Sequence, residues 1–185
     1  MMETVCNGAT VHQPEELRQK LALDRPLRVK YGIDPTAAHV HLGHLVGLLK
    51  LKQFQDAGHR PVLIIGGFTA LVGDPTGRDQ TRARLTADQI KNNTELYLDQ
   101  ISRVIDLDHC EVWNNNFWFE KRTLPRGIDL FAQATVSQIL ARDDFANRIK
   151  KAEPIYLHEI LYPLFQGQDS VEVKADVEIG GQDQL

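Results

Sequence analysis

Three groups of residues in this chain have the types and spacing to do chemistry. In the first, HLGH at 41 to 44 follows an apolar segment that ends in GIDPT. A helix starting near Leu42 would present unpaired N–H groups and about half a positive charge, which suits phosphate oxygens. His41 and His44 can donate to phosphate or ribose, Thr36 adds a hydroxyl, and Gly43 lets a base or sugar approach the backbone. In the second, Tyr162, Gln166 and Asp169 fall at i, i+4 and i+7 and share one helix face. A phenol, an amide and a carboxylate make an odd core stripe but suit a polar amino acid. The third is GGQDQ at 180 to 184. Gly180 and Gly181 permit close approach to a ribose, Asp183 can accept its hydroxyls, and Gln184 can reach a carboxylate.

Several of these residues also have ordinary readings. Asp34 before proline and Asp74 after glycine are common turn residues. Asp74, however, comes at the carboxyl end of the buried run PVLIIGG, where open α/β sheets bind ligands. His39, His41 and His44 form HxHxxH, but the spacing is irregular and no cysteine is near, so no metal site is expected and His39 reads as a solvated loop residue.

The elements that must position these groups follow from periodicity. MMETVCNGATVH is weakly patterned and expected to fray, a helix runs from Pro14 through Leu17 and Leu21, and Pro26 stops it. LRVKYGI reads as a strand ending at Asp34-Pro35. A helix over Leu42 to Ala57 has Leu45, Leu48, Leu49 and Phe54 at helical spacing and Gly58 at its end. PVLIIGG suits a parallel strand buried on both faces. Thr86 caps a helix reaching Leu107, EVWNNNFW carries a third strand into an Asn-rich loop, and residues 124 to 151 hold two helices or more. HEILYPLFQGQD is a helix, and VEVKADVEIGG returns to a strand. Strands alternating with helices imply an open, mostly parallel α/β sheet.

Composition sets wide bounds. The 185 residues, 42% hydrophobic and 25% charged, suit one globular domain with a core of its own. A formal net charge of −4 gives no global signal for nucleic acid, so RNA would have to meet local clusters such as Arg78, Arg82 and Arg84. Cys6 and Cys110 lie far apart, without CxxC or a secretory signal, which points to a reducing cytoplasm. No apolar run approaches the roughly 20 residues of a membrane span.

Together HLGH, GIDPT, FQDAGH, GDPTG and YPLFQGQDSVEVKADVEIGGQDQ resemble the front of the catalytic domain of class I aminoacyl-tRNA synthetases, in the tyrosine and tryptophan branch and closest to the tyrosyl family. The resemblance covers nearly everything after Pro26. It implies a Rossmann-like open parallel sheet with helices on both faces, and a helical connective insertion near 124 to 151 that forms a dimer face. The chain is then one piece of a catalytic domain, without the KMSKS-like loop or the anticodon-binding domain. The implied reaction activates L-tyrosine with ATP, giving tyrosyl-adenylate and pyrophosphate, and passes the acyl group to the 3′ end of tRNA(Tyr). Mg²⁺ would bridge the ATP phosphates, held mainly by the nucleotide.

The resemblance also implies roles. His41 and His44, with Thr36, act on the pentacoordinate transition state at the α-phosphate. Gly32, Asp34, Gly43, Gly181 and Asp183 join the histidines around ATP. Asp74 receives the substrate's α-ammonium, Tyr162 and Gln166 contact the same end, Asp169 accepts the phenol, and Gln184 reaches the reacting carboxylate. A tryptophanyl enzyme shares much of this, and a catalytically silent RNA-binding or interaction paralogue would keep the fold. Gln166 beside Asp169 and the wording GIDPT favour tyrosine, and no visible motif residue is lost. One departure stands out. Where one branch has a tyrosine two residues before the glycine of GFDPT, holding the phenol, this chain has Lys30, with Tyr31 directly before Gly32. A one-residue slip turns a strand side chain to the other face, so the second partner of the phenol is left open.

Overall fold

Four short segments become the strands of one sheet in the computed structural model, which describes residues 2–76 and 85–184. They are β1 (Arg28–Ile33), β2 (Arg60–Ile65), β3 (Glu111–Asn114) and β4 (Val177–Ile179), all parallel in the order β3-β2-β1-β4. Lys30 is paired with Val62 on one side and Glu178 on the other. The chain builds outward from β1 to β3 and then returns to place β4 on the opposite side of β1. The topological switch therefore falls between β1 and β4, and ligands of such sheets bind in the crevice beyond the carboxyl ends there.

The ten α-helices among the described residues are α1 (Met2–Cys6), α2 (Pro14–Leu21), α3 (Leu42–Asp56), α4 (Thr69–Val72), α5 (Ala87–Ile101), α6 (Asn116–Phe119), α7 (Leu124–Phe131), α8 (Val136–Leu140), α9 (Asp143–Lys150) and α10 (Leu157–Glu172). The period-two alternation of β1 and β2 divides the core. Val29, Tyr31, Ile33, Leu63 and Ile65 pack with Leu48, Leu51 and Phe54 of α3 and Tyr97 and Ile101 of α5. Val62 and Ile64 pack on the other face with Val173, at the end of α10, and Trp118. Helices thus cover both faces, as a parallel sheet requires. A third cluster of Phe119, Leu130 and Phe165 ties α6, α7 and α10 together.

The helix ends follow their sequence signals. Pro14 opens α2, Thr86 and Gln89 form a capping box on α5, and Gly58 takes a positive φ of 86° just past α3. Four expectations need correction. The first dozen residues do not simply fray, because α1 buries Val5 in the main core. The helix opened by Thr86 stops at Ile101, and Leu107–His109 form a separate 3-10 turn. The segment VEVKADVEIGG is mostly not strand: α10 runs on to Glu172, and Lys174 at φ 50° turns the chain before β4. Finally, Asp74 does not sit at the end of β2, since α4 stands between them, anchored where Phe68 meets Phe119 and Phe165. The cluster Arg78, Arg82 and Arg84 lies outside the described residues.

Candidate active site

The carboxyl ends of the strands gather most of the residues singled out above. The first of them, Asp34, follows β1, and Gly66 follows β2 beside it. A Cβ at Gly66 would stand 1.8 Å from Asp34 Oδ1, so glycine is required for the two strand ends to carry this carboxylate between them. Tyr162 from α10 donates its hydroxyl to Asp34 Oδ2 at 2.9 Å, and Thr69 at the start of α4 donates to Oδ1 at 2.7 Å. Asn115, past the end of β3, donates to Thr69 Oγ1 at 2.9 Å and to Asp169 Oδ2 at 3.2 Å. Trp118 Nε1 completes the chain by donating to Asp169 Oδ1 at 2.9 Å. One buried hydrogen-bond network thus links two carboxylates across α4, α6 and α10.

Burial decides the electrostatics of this network. Desolvation pushes the Asp34 carboxyl up to about 7 against the hydrogen bonds of Thr69 and Tyr162, and the nearby charges of Asp74 and Asp169 push the same way. Asp169 is raised to about 6 by burial, opposed by the Lys30 cation and by the donors Asn115 and Trp118. The Tyr162 hydroxyl is pushed well above its usual range by burial and by Asp34. A cleft with two reluctantly ionised carboxylates is a place for a ligand cation.

Asp74 lies in a second group. Its Oδ1 accepts from the Thr76 N–H and hydroxyl at 2.8 and 2.7 Å, and its Oδ2 accepts from Gln184 Nε2 at 3.0 Å. The structure therefore brings together Asp74 and Gln184, which are 110 positions apart in sequence. Gly181 is exposed at the 3-10 turn Gln182–Gln184, and nothing is described of the Asp183 side chain. Gln166 is partly buried on the same helix as Tyr162 and Asp169.

The histidines stand at the start of α3. His41 is its N-cap, accepting from the His44 N–H at Nδ1, and the two rings stack 3.7 Å apart. A Cβ at Gly43 would approach His41 Cε1 to 3.0 Å, so glycine also makes room for this ring. Burial first, and then His41, lowers His44 to about 4, so it is a neutral donor at pH 7. Its Nδ1 is buried with no protein partner among the described residues, a group waiting for a hydrogen bond. Thr36 is in the turn after β1, where its N–H donates to Asp34 O at 2.8 Å, and Gly32 is exposed. Asp34, assigned from the sequence to the nucleotide half, has both oxygens engaged by Thr69 and Tyr162. Among the described residues no three His, Cys, Asp or Glu side chains are placed to hold a metal together.

Sequence reasoning missed Thr69, Asn115 and Trp118. The only signal was the position of FTA and NNN just past two strands; their meeting with Asp169 is a tertiary event. Lys30 also takes on meaning, because it lies on the Asp169 face of β1 while Tyr31 points to α3 and donates to His44 O at 3.3 Å.

Comparisons with known proteins agree with this geometry. Residues 22–185 match the family described as tRNA synthetases class I (W and Y). A tyrosine–tRNA ligase of Trichormus variabilis is 53% identical over 174 residues, covering 92% of this chain and 44% of its own length. One of Moorella thermoacetica is 50% identical over 92% of this chain and 43% of its own. The chain therefore spans less than half the length of these curated relatives. A C-terminally truncated mitochondrial tyrosyl-tRNA synthetase of Aspergillus nidulans superposes with a TM-score of 0.79 at 27% identity, over 92% of this chain and 52% of that one. A tyrosyl-tRNA synthetase of Archaeoglobus fulgidus, complexed with L-tyrosine, shares the fold at a TM-score of 0.77 and 19% identity, over 99% of this chain and 55% of that one. By its sequence match, supported by its sheet and by the residues gathered at the strand ends, this chain belongs to the class I tRNA synthetase family of the tryptophan and tyrosine enzymes.

Proposed function

We propose that this chain binds L-tyrosine and ATP at the carboxyl ends of its sheet and forms tyrosyl-adenylate, as part of a tyrosine–tRNA ligase that charges tRNA(Tyr). The observation that carries this reading is the buried network running from Asp34 to Asp169. Asp169 uses one lone pair on each oxygen for Asn115 and Trp118, which leaves acceptor capacity for a substrate hydroxyl. Asp74, with Gln184 beside it, is the receiver for the α-ammonium, and the charge of the whole cleft favours that cation.

On the nucleotide side, the N–H groups at the start of α3 and the donors of His41, His44 and Thr36 suit the α-phosphate, where charge builds as the tyrosine carboxylate attacks. Gly32 and Gly43 leave room for the nucleotide, and Gly181 and Asp183 are assigned to its ribose. No side-chain nucleophile is needed, because positioning and charge stabilisation do the work. Mg²⁺ would enter with ATP, whose phosphates are the hard oxygen ligands it prefers. The exposed Leu124, Ile128 and Val136 of α7 and α8 support pairing with a second copy through the 124 to 151 insertion. No described helix is long and apolar enough to cross a membrane. The two free, widely spaced cysteines support a reducing cytoplasm as the compartment.

Calorimetry of this chain with tyrosine, phenylalanine and tryptophan tests the reading. Phenylalanine should bind weaker by on the order of ten- to a hundredfold, since Asp169 then loses a buried partner. Equal affinity for tyrosine and phenylalanine would overturn the reading, and preference for tryptophan would move the chain to the other branch of its family.

A further inference from the structure

We propose that Lys30 is a positioning residue for amino-acid selection: buried beneath the cleft and tied to Glu178, it holds Asp169 as an ionised acceptor for the substrate's side-chain hydroxyl. The inference rests on the tyrosine reading above and adds to it the source of the charge that makes Asp169 selective.

The geometry begins with strand register. Lys30 and Glu178 are directly paired across β1 and β4, at the switch point of the sheet, and Lys30 Nζ meets Glu178 Oε1 at 2.5 Å. Glu178 Oε2 accepts from Ser170 Oγ at 2.8 Å, so the pair is fastened to the residue next to Asp169 on α10. The lysine side chain is 1% exposed, whereas that of Glu178 is 40% exposed. Lys30 runs along the strand beside Gly32, whose Cβ position lies 3.6 Å from Lys30 Cε and 3.9 Å from Nζ. A Cβ there would only touch the lysine chain at ordinary van der Waals distance, which places the ammonium close beside the strand backbone.

Burial excludes a direct contact with substrate in this arrangement, so the lysine acts through Asp169. That carboxylate faces a mixed field. From β1 come Lys30 and, just beyond the strand, Asp34; from β4 comes Glu178; α10 itself brings Tyr162; and the neutral donors Asn115 and Trp118 close the far side. Lys30 is the cation whose field favours ionised Asp169, opposed by burial first and then by the charge of Glu178. An ionised acceptor matters because charge-assisted hydrogen bonds are roughly twice as strong as neutral ones. A buried cation at this position thus does by its field what a hydroxyl donor facing the phenol would do by contact.

The test is the ratio of tyrosine to phenylalanine affinity, measured by calorimetry on this chain from pH 5 to 8.5. Both ligands carry the α-ammonium, so titration of Asp34 cancels in the ratio and Asp169 remains. In the wild type the preference for tyrosine should fade as pH falls through about 6. Lys30→Met should move that midpoint up by about one pH unit or more and cut the preference at pH 7 by up to about tenfold. The variant removes a buried cation and leaves Glu178 in water, so no stranded charge threatens its fold. Glu178→Gln keeps an amide oxygen for Lys30 but withdraws a negative charge, and should move the midpoint down. Opposite shifts in the two variants are the signature of a field, which a packing role would not produce. Unmoved midpoints in both variants, beside a wild type that prefers tyrosine, would overturn the inference alone. A wild type without preference at any pH would overturn the tyrosine reading and this inference with it.

Discussion

His44 shows how much a single residue's surroundings decide. The motif HLGH names two histidines but does not tell them apart. In the fold, His41 is an exposed cap, whereas His44 is half-buried under it, its Nδ1 without a hydrogen-bond partner among the described residues. Depressed to about 4, chiefly by burial, His44 offers a neutral N–H and carries no charge at working pH. Its contribution to a transition state is then one hydrogen bond, and a donor of another kind should replace it in part. His44→Ala should slow tyrosine- and ATP-dependent adenylate formation by about 1–3 kcal/mol, with His44→Gln recovering part of that loss. The rate of the wild type should show no inflection from His44 between pH 5.5 and 8. Quench-flow on the three proteins would check both points, and equal rates for His44→Ala and the wild type would reduce the residue to packing.

The elements were legible where local chemistry fixes them and obscure where distant residues decide. Pro14, Thr86 and Gly58 placed three helix ends in advance, and the apolar run PVLIIGG marked its strand. The stripe of Tyr162, Gln166 and Asp169 was visible from spacing alone. By contrast, α4 has four residues and no signal of its own; it is held by Phe68 against Phe119 and Phe165 and by the Asn115 side chain accepting from the Phe68 N–H at 2.8 Å. The end of α10 was misplaced because VEVK alternates like a strand, although Val173 is buried on the sheet as a helix cap. The seat of α3 on β1 is equally tertiary. A Cβ at Gly47 would stand 2.4 Å from Cζ of Tyr31, a rigid ring that is 8% exposed. Alanine would gain about 1 kcal/mol of helix propensity at this position. Overpacking against a ring that cannot move aside costs about 1–3 kcal/mol. Gly47→Ala should therefore lower stability by up to about 2 kcal/mol, seen as a lower urea midpoint with an unchanged slope. A stabilised variant would mean that α3 can lift off β1 freely.

Across the whole molecule, the site sets stability against function. Asp34 keeps its proton to about 7 in the folded chain, chiefly through burial, against about 4 when unfolded. Between those values the folded state holds more protons, so this residue's contribution is full at low pH and is lost as pH rises through 7. Other groups carry the opposite sign. His44, depressed to about 4, favours the folded state increasingly as pH rises from about 4 to 6.5. Asp176, held down to about 2 first by its hydrogen bond from Arg25, contributes above about 4 and loses that contribution as pH falls toward 2. The raw pH profile mixes these effects, but Asp34→Asn removes one and leaves the rest. The difference in unfolding free energy between the variant and the wild type should shift in the variant's favour by up to about 1.4 kcal/mol per pH unit from 4 to 7, and then level off. An amide can still accept from Thr69 or Tyr162, so the fold persists. Saturating tyrosine should reverse the ranking, because a bound ammonium stabilises the ionised Asp34 that the empty cleft resists. Urea titrations at pH 4.5, 6 and 8, with and without tyrosine, measure both halves. A difference independent of pH would show that Asp34 ionises freely, and that the cleft holds no strain for its substrate to relieve.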